Sequence, residues 1–375
     1  MNLDTTDRQW YTINNPDKLD SPALIIYPDR VKKNIETIVK MIDDPARLRP
    51  HVKTHKTKEV TLLMIAAGIN KFKCATIAEA EMLGMCNAQD VLLAYQPNGP
   101  KITRFISVIK AYPGTKFSCL ADNLKSAEEI SGQAIINELR IPVYIDLNVG
   151  MNRTGIKPGS AAMQLYEDAS HLKGLETLGF HAYDGHIHER DIEIRKKLSE
   201  QLFAPIEKLK EELENKGYSA PKLVIGGSPT FPIYAENPDV ECSPGTFVFW
   251  DKGYQDLLPE QNFLPAALIL SRVISMPDET KICLDLGHKS VAAENDLQKR
   301  LYFLNAPDLK LISQSEEHLV LEAGEHHQWK IGDILYALPF HVCPTCALYE
   351  YATLIEEGEL SGTWKIIARD RKITI

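Results

Sequence analysis

Between Arg47 and Trp250 the chain repeats one unit: a short apolar run of strand length, a turn, then a stretch with apolar residues at helical spacing. That alternation constrains the fold more than any other feature, because strands joined by helix-length crossovers lie parallel. Runs of strand character fall at 47–53, 71–76, 91–96, 116–121, 141–148, 175–183, 222–227 and 242–249. Eight such strands over roughly 200 residues predict an α/β fold, a (β/α)8 barrel. An open doubly wound sheet would give a similar pattern. The helical stripes, Val31–Ile35–Ile38–Ile42 and Leu198–Leu202–Ile206–Leu209–Leu213, read as core packing.

After about residue 260 the pattern changes to alternating strand-like runs such as ALILSRVISM, KICLDLG and HLVLEAG, with turn signals between them. This predicts an antiparallel β domain over 261–375, into which residues 1–19 fold back, after a barrel domain over 20–260. The length of 375 residues suits one large and one smaller domain.

A net charge of -9 without a Lys/Arg stripe argues against nucleic acid or an anionic membrane as partner. No apolar run reaches about 18 residues and the first residues carry no apolar leader core, which predicts a soluble, cytoplasmic protein. Seven scattered cysteines make a poor disulfide framework.

In RLRPHVKTHK, period-two alternation places Arg49, His51 and Lys53 on one strand face. At the C-terminal end of a barrel strand that face opens on the active site. Cationic neighbours and burial would both disfavour an ammonium there, leaving the Lys53 amine able to form a Schiff base, with His51 as a catalytic neighbour. A solvated basic strand end accounts for the same residues.

Other segments add polar groups at strand ends. GFHAYDGHIH gathers His181, Tyr183, His186 and His188, of which a His-x-His pair can bind metal or substrate. GGSPTF (Gly226, Gly227, Ser228, Thr230) and SPGTF (Gly245, Thr246) offer backbone N–H groups and hydroxyls to a phosphate after strands seven and eight, or simply form turns. In LPFHVCPTC, His341 and Cys343 point the same way if the segment is extended, and an imidazole with a thiolate suits zinc. Cys343-x-x-Cys346 also admits a redox or zinc-ribbon reading, but the chain has no second such pair.

Together, RPHVKTHK, the segment DLNVGMNRTG and the His-x-Cys pair resemble the D-threonine aldolase and D-serine dehydratase family of pyridoxal 5'-phosphate enzymes with the alanine-racemase-like fold. The resemblance runs from about residue 20 to 370. It implies pyridoxal phosphate on Lys53, Arg153 beside the cofactor's phenolic oxygen, Tyr183 next to its ring, and a divalent metal, zinc or manganese, at His341 and Cys343. It implies a D-3-hydroxy amino acid as substrate and a homodimer. The expected reaction is aldolase cleavage to glycine and an aldehyde. Dehydration to a 2-oxo acid and ammonia, or racemisation, are the alternatives.

Overall fold

In the computed structural model, which describes residues 10–375, the strands sort into two sheets within two separate units. β1 (Ala23–Ile26) belongs to the second sheet. The first sheet holds β2 (Lys71–Cys74), β3 (Asp90–Leu93), β4 (Lys116–Ala121), β5 (Ile141–Leu147), β6 (Leu175–Ala182), β7 (Lys222–Ile225) and β8 (Glu241–Cys242). These seven pair in sequence order, every pair parallel, with helices in the crossovers. The arrangement is a curled parallel barrel sheet, as the alternation predicts, with seven regular strands in place of the expected eight.

The expected strand at 47–53 is not regular. Residues 45–47 form a 3₁₀ turn, and the following residues touch their neighbours through single bridges, Leu48 to Cys242 and His51 to Lys73. The segment still closes the ring from both sides: Arg49 and His51 donate to the carbonyls of Cys242 and Pro244, the Val52 N–H donates to the Lys73 carbonyl, and the Lys73 N–H donates to the Pro50 carbonyl. Pro50 and Pro244 have no N–H to give, so a full ladder cannot form. For the same reason the expected strand at 242–249 stops at Cys242, and a 3₁₀ turn follows at 246–248.

Strand alternation builds the barrel interior in layers. Leu92, Leu120, Tyr144 and Val224 pack as one buried cluster, each such side chain stabilising the fold by roughly 1.5–3 kcal/mol. Two residues beyond Tyr144, Asp146 points to the same side and pairs in register with His181. A polar layer therefore sits on the apolar one, toward the C-terminal strand ends where barrel sites lie.

Arg49 corrects the expectation that it shares a face with Lys53 at the site. It is fully buried, its guanidinium 2.7 Å from both Asp90 and Glu241, which begin β3 and β8 at the opposite end of the barrel. Arg49→Met leaves the buried end of Asp90 without its guanidinium and Glu241 with Lys71 as its remaining cation, and should lower stability by about 3 kcal/mol in urea unfolding. An unchanged midpoint would show that the pair is solvated.

The second sheet contains β9 (Ala267–Ser275), β10 (Lys281–Leu284), β11 (Leu301–Phe303), β12 (Lys310–Gln314), β13 (Leu319–Glu322), β14 (Ile334–Pro339), β15 (Tyr351–Glu356) and β16 (Glu359–Lys365). Its order is β12-β13-β10-β9-β1-β15-β16, with β14 joining β9 to β11. All pairs are antiparallel except β1 with β15, so the sheet is mixed rather than purely antiparallel. Ile25, Leu268, Leu270, Tyr336 and Leu338 share one buried cluster.

The unit boundaries differ from the expected division at 260. Residues 246–369, described residues up to Ile35 and the short stretch Thr54–Thr57 cluster together; Glu36–Lys53, Lys58–Gly245 and Asp370–Ile375 form the barrel unit. β1 accounts for the N-terminal part of the difference, because its ladder partners are β9 and β15. The expectation that residues 1–19 fold back lies partly outside the described residues; Ile13 within it joins the β-unit core. No helix among the described residues is long and apolar enough to cross a membrane.

Candidate active site at the C-terminal ends of the barrel strands

Tyr183, just beyond β6, is the hub of the barrel site. The Nζ atoms of Lys53 and Lys73 each lie 5.7 Å from its ring centroid, and the Arg153 guanidinium lies 5.1 Å away. Lys53 is half-buried in the turn after the closing segment, and Arg153 is exposed on the loop after β5. His51, expected as a catalytic neighbour, instead accepts the Lys53 backbone N–H at Nδ1 (3.2 Å), so it shapes the turn that presents the lysine.

Beneath these residues lies a hydrogen-bonded chain. Asp146 meets His181 Nδ1 at 2.7 Å and also accepts from Gln96 and Thr154, each at 2.8 Å. Burial would raise the Asp146 carboxyl, but His181, Thr154 and Gln96 hold it below its ordinary value. Burial also lowers His181. Its Nδ1 proton goes to Asp146, leaving the Nε2 lone pair 3.5 Å from Lys73 Nζ. Lys73 is lowered to about 7, by burial first and then by the charge of Lys53, against the pull of Asp184 and Asp146.

The loop after β7 forms a cradle. Gly226 has φ +82, and a Cβ there would come within 2.9 Å of Tyr234; one at Gly227 would come within 3.2 Å of Tyr183. Only bare backbone fits between those rings. Ser228 is buried beside them. The Thr230 hydroxyl, expected as a phosphate donor, is already engaged: it accepts from Gly227 N–H (3.3 Å) and donates to Asp184 (3.1 Å). Burial raises Asp184 to about 6 despite that bond. Gly245 is buried at the end of the barrel unit. His186 and His188 are exposed, and His186 lies over Gly150, where a Cβ would be 2.6 Å from its Nε2.

Three cations around one ring fit a multiply charged anionic cofactor. Pyridoxal 5'-phosphate would find its amine in Lys53, counter-charge in Arg153 and Lys73, and a bare-backbone turn at Gly226–Gly227, whose N–H groups here go to the Ala182 carbonyl (3.2 Å) and to Thr230 Oγ1 (3.3 Å).

The β unit carries the second expected site. His341 and Cys343 do not lie on an extended run: residues 342–346 form a short helix with His341 at its N-cap. Pro344 is tolerated in that first turn because no N–H is needed there, and Asp251 accepts the Val342 N–H at 3.0 Å. The two side chains still meet. Burial would lower His341, but its hydrogen bond with Cys343 and the charges of Cys343 and Asp251, with Glu294 at 2.5 Å, raise it to about 9. The Cys343 sulfur lies 3.1 Å from Thr54 Oγ1 and 3.6 Å from Thr246 Oγ1, so the Thr246 hydroxyl faces this thiol. Imidazole, thiolate and nearby carboxylates suit a borderline-soft divalent ion. Among the described residues no three such side chains are gathered in ligating positions.

Sequence reading missed Lys73, the Asp146–His181 pair, Asp184, Asp251 and Glu294. Period-two alternation of KFKCAT puts Lys73 on the lumen face once β2 is placed beside the closing segment. The two acids in the β unit leave no comparable signal, since long loops bring them to His341.

Comparison with known proteins bears on the family and the fold. The family model described as alanine racemase, N-terminal domain, matches residues 26–252, and that of a putative serine dehydratase domain matches residues 266–355. The chain is 25% identical to a D-threonine aldolase from Arthrobacter sp, over 94% of this chain and 93% of that one. It is also 25% identical to a D-threo-3-hydroxyaspartate dehydratase from Delftia sp. (strain HT23), covering 92% and 97%. The crystal structure of D-threonine aldolase from Filomicrobium marinum superposes with a TM-score of 0.86 at 23% identity, covering 93% and 95%.

Proposed function

We propose, from the premise that this chain belongs to the alanine racemase N-terminal domain family, that it is a pyridoxal 5'-phosphate-dependent, metal-assisted lyase acting on D-3-hydroxy amino acids. The observation that carries the reading is Lys53 and Arg153 gathered about Tyr183, beside the Gly226–Gly227 cradle. Relatives along nearly the whole length are an aldolase and a dehydratase for hydroxy amino acids, which supports the substrate class. We take aldolase cleavage as the first reading. Dehydration, the reaction named for the Delftia relative, is the second.

The bound cofactor supplies an electron sink for charge developing at the substrate's Cα. The residues decide what surrounds it. Lys53 would provide the amine that holds the cofactor and would move a proton at the substrate's Cα. Arg153 would stabilise negative charge on the cofactor, and Tyr183, at the centre of the three cations, would keep water from it. Gly226, Gly227 and Ser228 would form the turn that seats the phosphate. Thr230 fixes that loop through Asp184 rather than meeting the phosphate itself. In the β unit, His341 and Cys343 would hold a divalent ion, a Lewis acid for a hydroxyl oxygen. The protein is proposed to work as a homodimer in the cytoplasm.

Purified protein with pyridoxal phosphate and zinc or manganese should act on D-threonine, D-threo-phenylserine or D-serine, releasing aldehyde if aldolase and ammonia if dehydratase. Release of neither, together with L-to-D interconversion on a chiral column, would replace the lyase reading with a racemase.

A further inference from the structure

Lys73 is the one lysine among the described residues that is buried, 2% exposed. In its charged form, which an arriving anion favours, Lys73 has three N–H groups. One goes to Ser243 Oγ at 2.6 Å and one faces the His181 Nε2 lone pair at 3.5 Å. The third meets no acceptor among the described residues. A donor held at two points, in the lumen and without a third partner, is an incomplete site, because a buried unmade hydrogen bond costs free energy that an incoming acceptor recovers.

The surroundings say what that acceptor is. Lys53 and Arg153 approach the same Tyr183 ring, so a ligand joined to Lys53 comes to Lys73 as well. The facing groups are Asp146 from β5, His181, Tyr183 and Asp184 from β6 and the turn beyond it, Ser243 after β8, and the backbone of His51 in the closing segment. Asp146 is taken up by His181, Thr154 and Gln96; Asp184 accepts from Thr230 at Oδ1 and leaves Oδ2 without a hydrogen bond among the described residues, and neither carboxylate is bonded to Lys73. An arriving anion or lone pair therefore finds the ammonium uncommitted. The phosphate is the wrong part of the cofactor for this contact: Ser243, which holds Lys73, lies against the carbonyls of Ile225 and Gly226, the side of the cradle that repels an anion.

We propose that Lys73 is a cofactor-binding residue whose third N–H reaches an acceptor atom on the ring of the aldehyde cofactor joined to Lys53. This rests on the pyridoxal phosphate reading given above and deepens it. The His181–Asp146 pair acts through Lys73, as a positioning element that keeps its amine aimed.

The test titrates apo-protein with pyridoxal 5'-phosphate and with pyridoxal, which lacks the phosphate, following the visible band. Lys73→Met should weaken both ligands by about 10-fold or more, and by similar factors, because the ring contact is common to both. Lys73→Gln, which keeps a neutral donor, should recover part of the loss. It also stands in if the methionine variant fails to melt cooperatively. Affinities within twofold of wild type for both ligands, or a loss confined to the phosphorylated one, would overturn the assignment. Absence of any Lys53-linked band in the wild type overturns the cofactor reading itself and this inference with it; an intact wild-type band with an unaffected variant overturns only Lys73.

Discussion

Lys53→Ala is expected to lower turnover of a D-3-hydroxy amino acid by at least about three orders of magnitude, the scale of loss when a covalent nucleophile is removed. It should also abolish the band at about 410 to 430 nm that a lysine-bound cofactor gives. Nothing nearby replaces it. Lys73 is held by Ser243 and His181 at the floor of the lumen, while Lys56 belongs to the stretch that clusters with the β unit. Lys58 begins the helix at 58–66. Lys58→Ala should therefore cost less than about twofold, as an outward change usually does. An alanine variant of Lys53 that kept its band would mean another amine carries the cofactor.

His341→Ala or Cys343→Ala is expected to reduce activity by about 100-fold or more and to lower the bound divalent ion from one per chain. Losing a Lewis acid removes several kcal/mol of charge stabilisation where the reaction needs it. Cys346→Ala is the control. That thiol is fully buried, and burial holds it well above its ordinary value, so it is a core atom rather than a ligand. Its replacement should change stability but not metal content. If chelation and both ligand variants left turnover intact, the metal-assisted reading would be wrong and a metal-independent racemase favoured.

Much of this was legible in the residues because the barrel imposes periodicity. Alternating apolar strands and amphipathic helices announced the parallel sheet, and Tyr183 and the Gly226–Gly227 pair follow β6 and β7, while Lys53 follows a closing segment held only by bridges. What was not legible depends on pairing partners. Arg49 shares its strand parity with Lys53, yet four residues of rise move it to the other end of the barrel, where Asp90 and Glu241 enclose it. Prolines at 50 and 244 turned two expected strands into bridged segments. β1 is not among the expected strands and falls inside the expected barrel domain, yet it pairs with β9 and β15, since a short apolar run carries no record of its partner. Thr230 and Thr246 had the right chemistry for phosphate, but their hydroxyls face Asp184 and Cys343. Lys73 went unnoticed because a lysine in a strand ordinarily faces water.

Reduction of the holo-protein with borohydride, followed by protease digestion and mass mapping, fixes the cofactor to whichever nitrogen it occupies. The account predicts one pyridoxyl group per chain, on the peptide containing Lys53. A group on Lys73, Lys56 or Lys58, or no modified peptide at all, would contradict it.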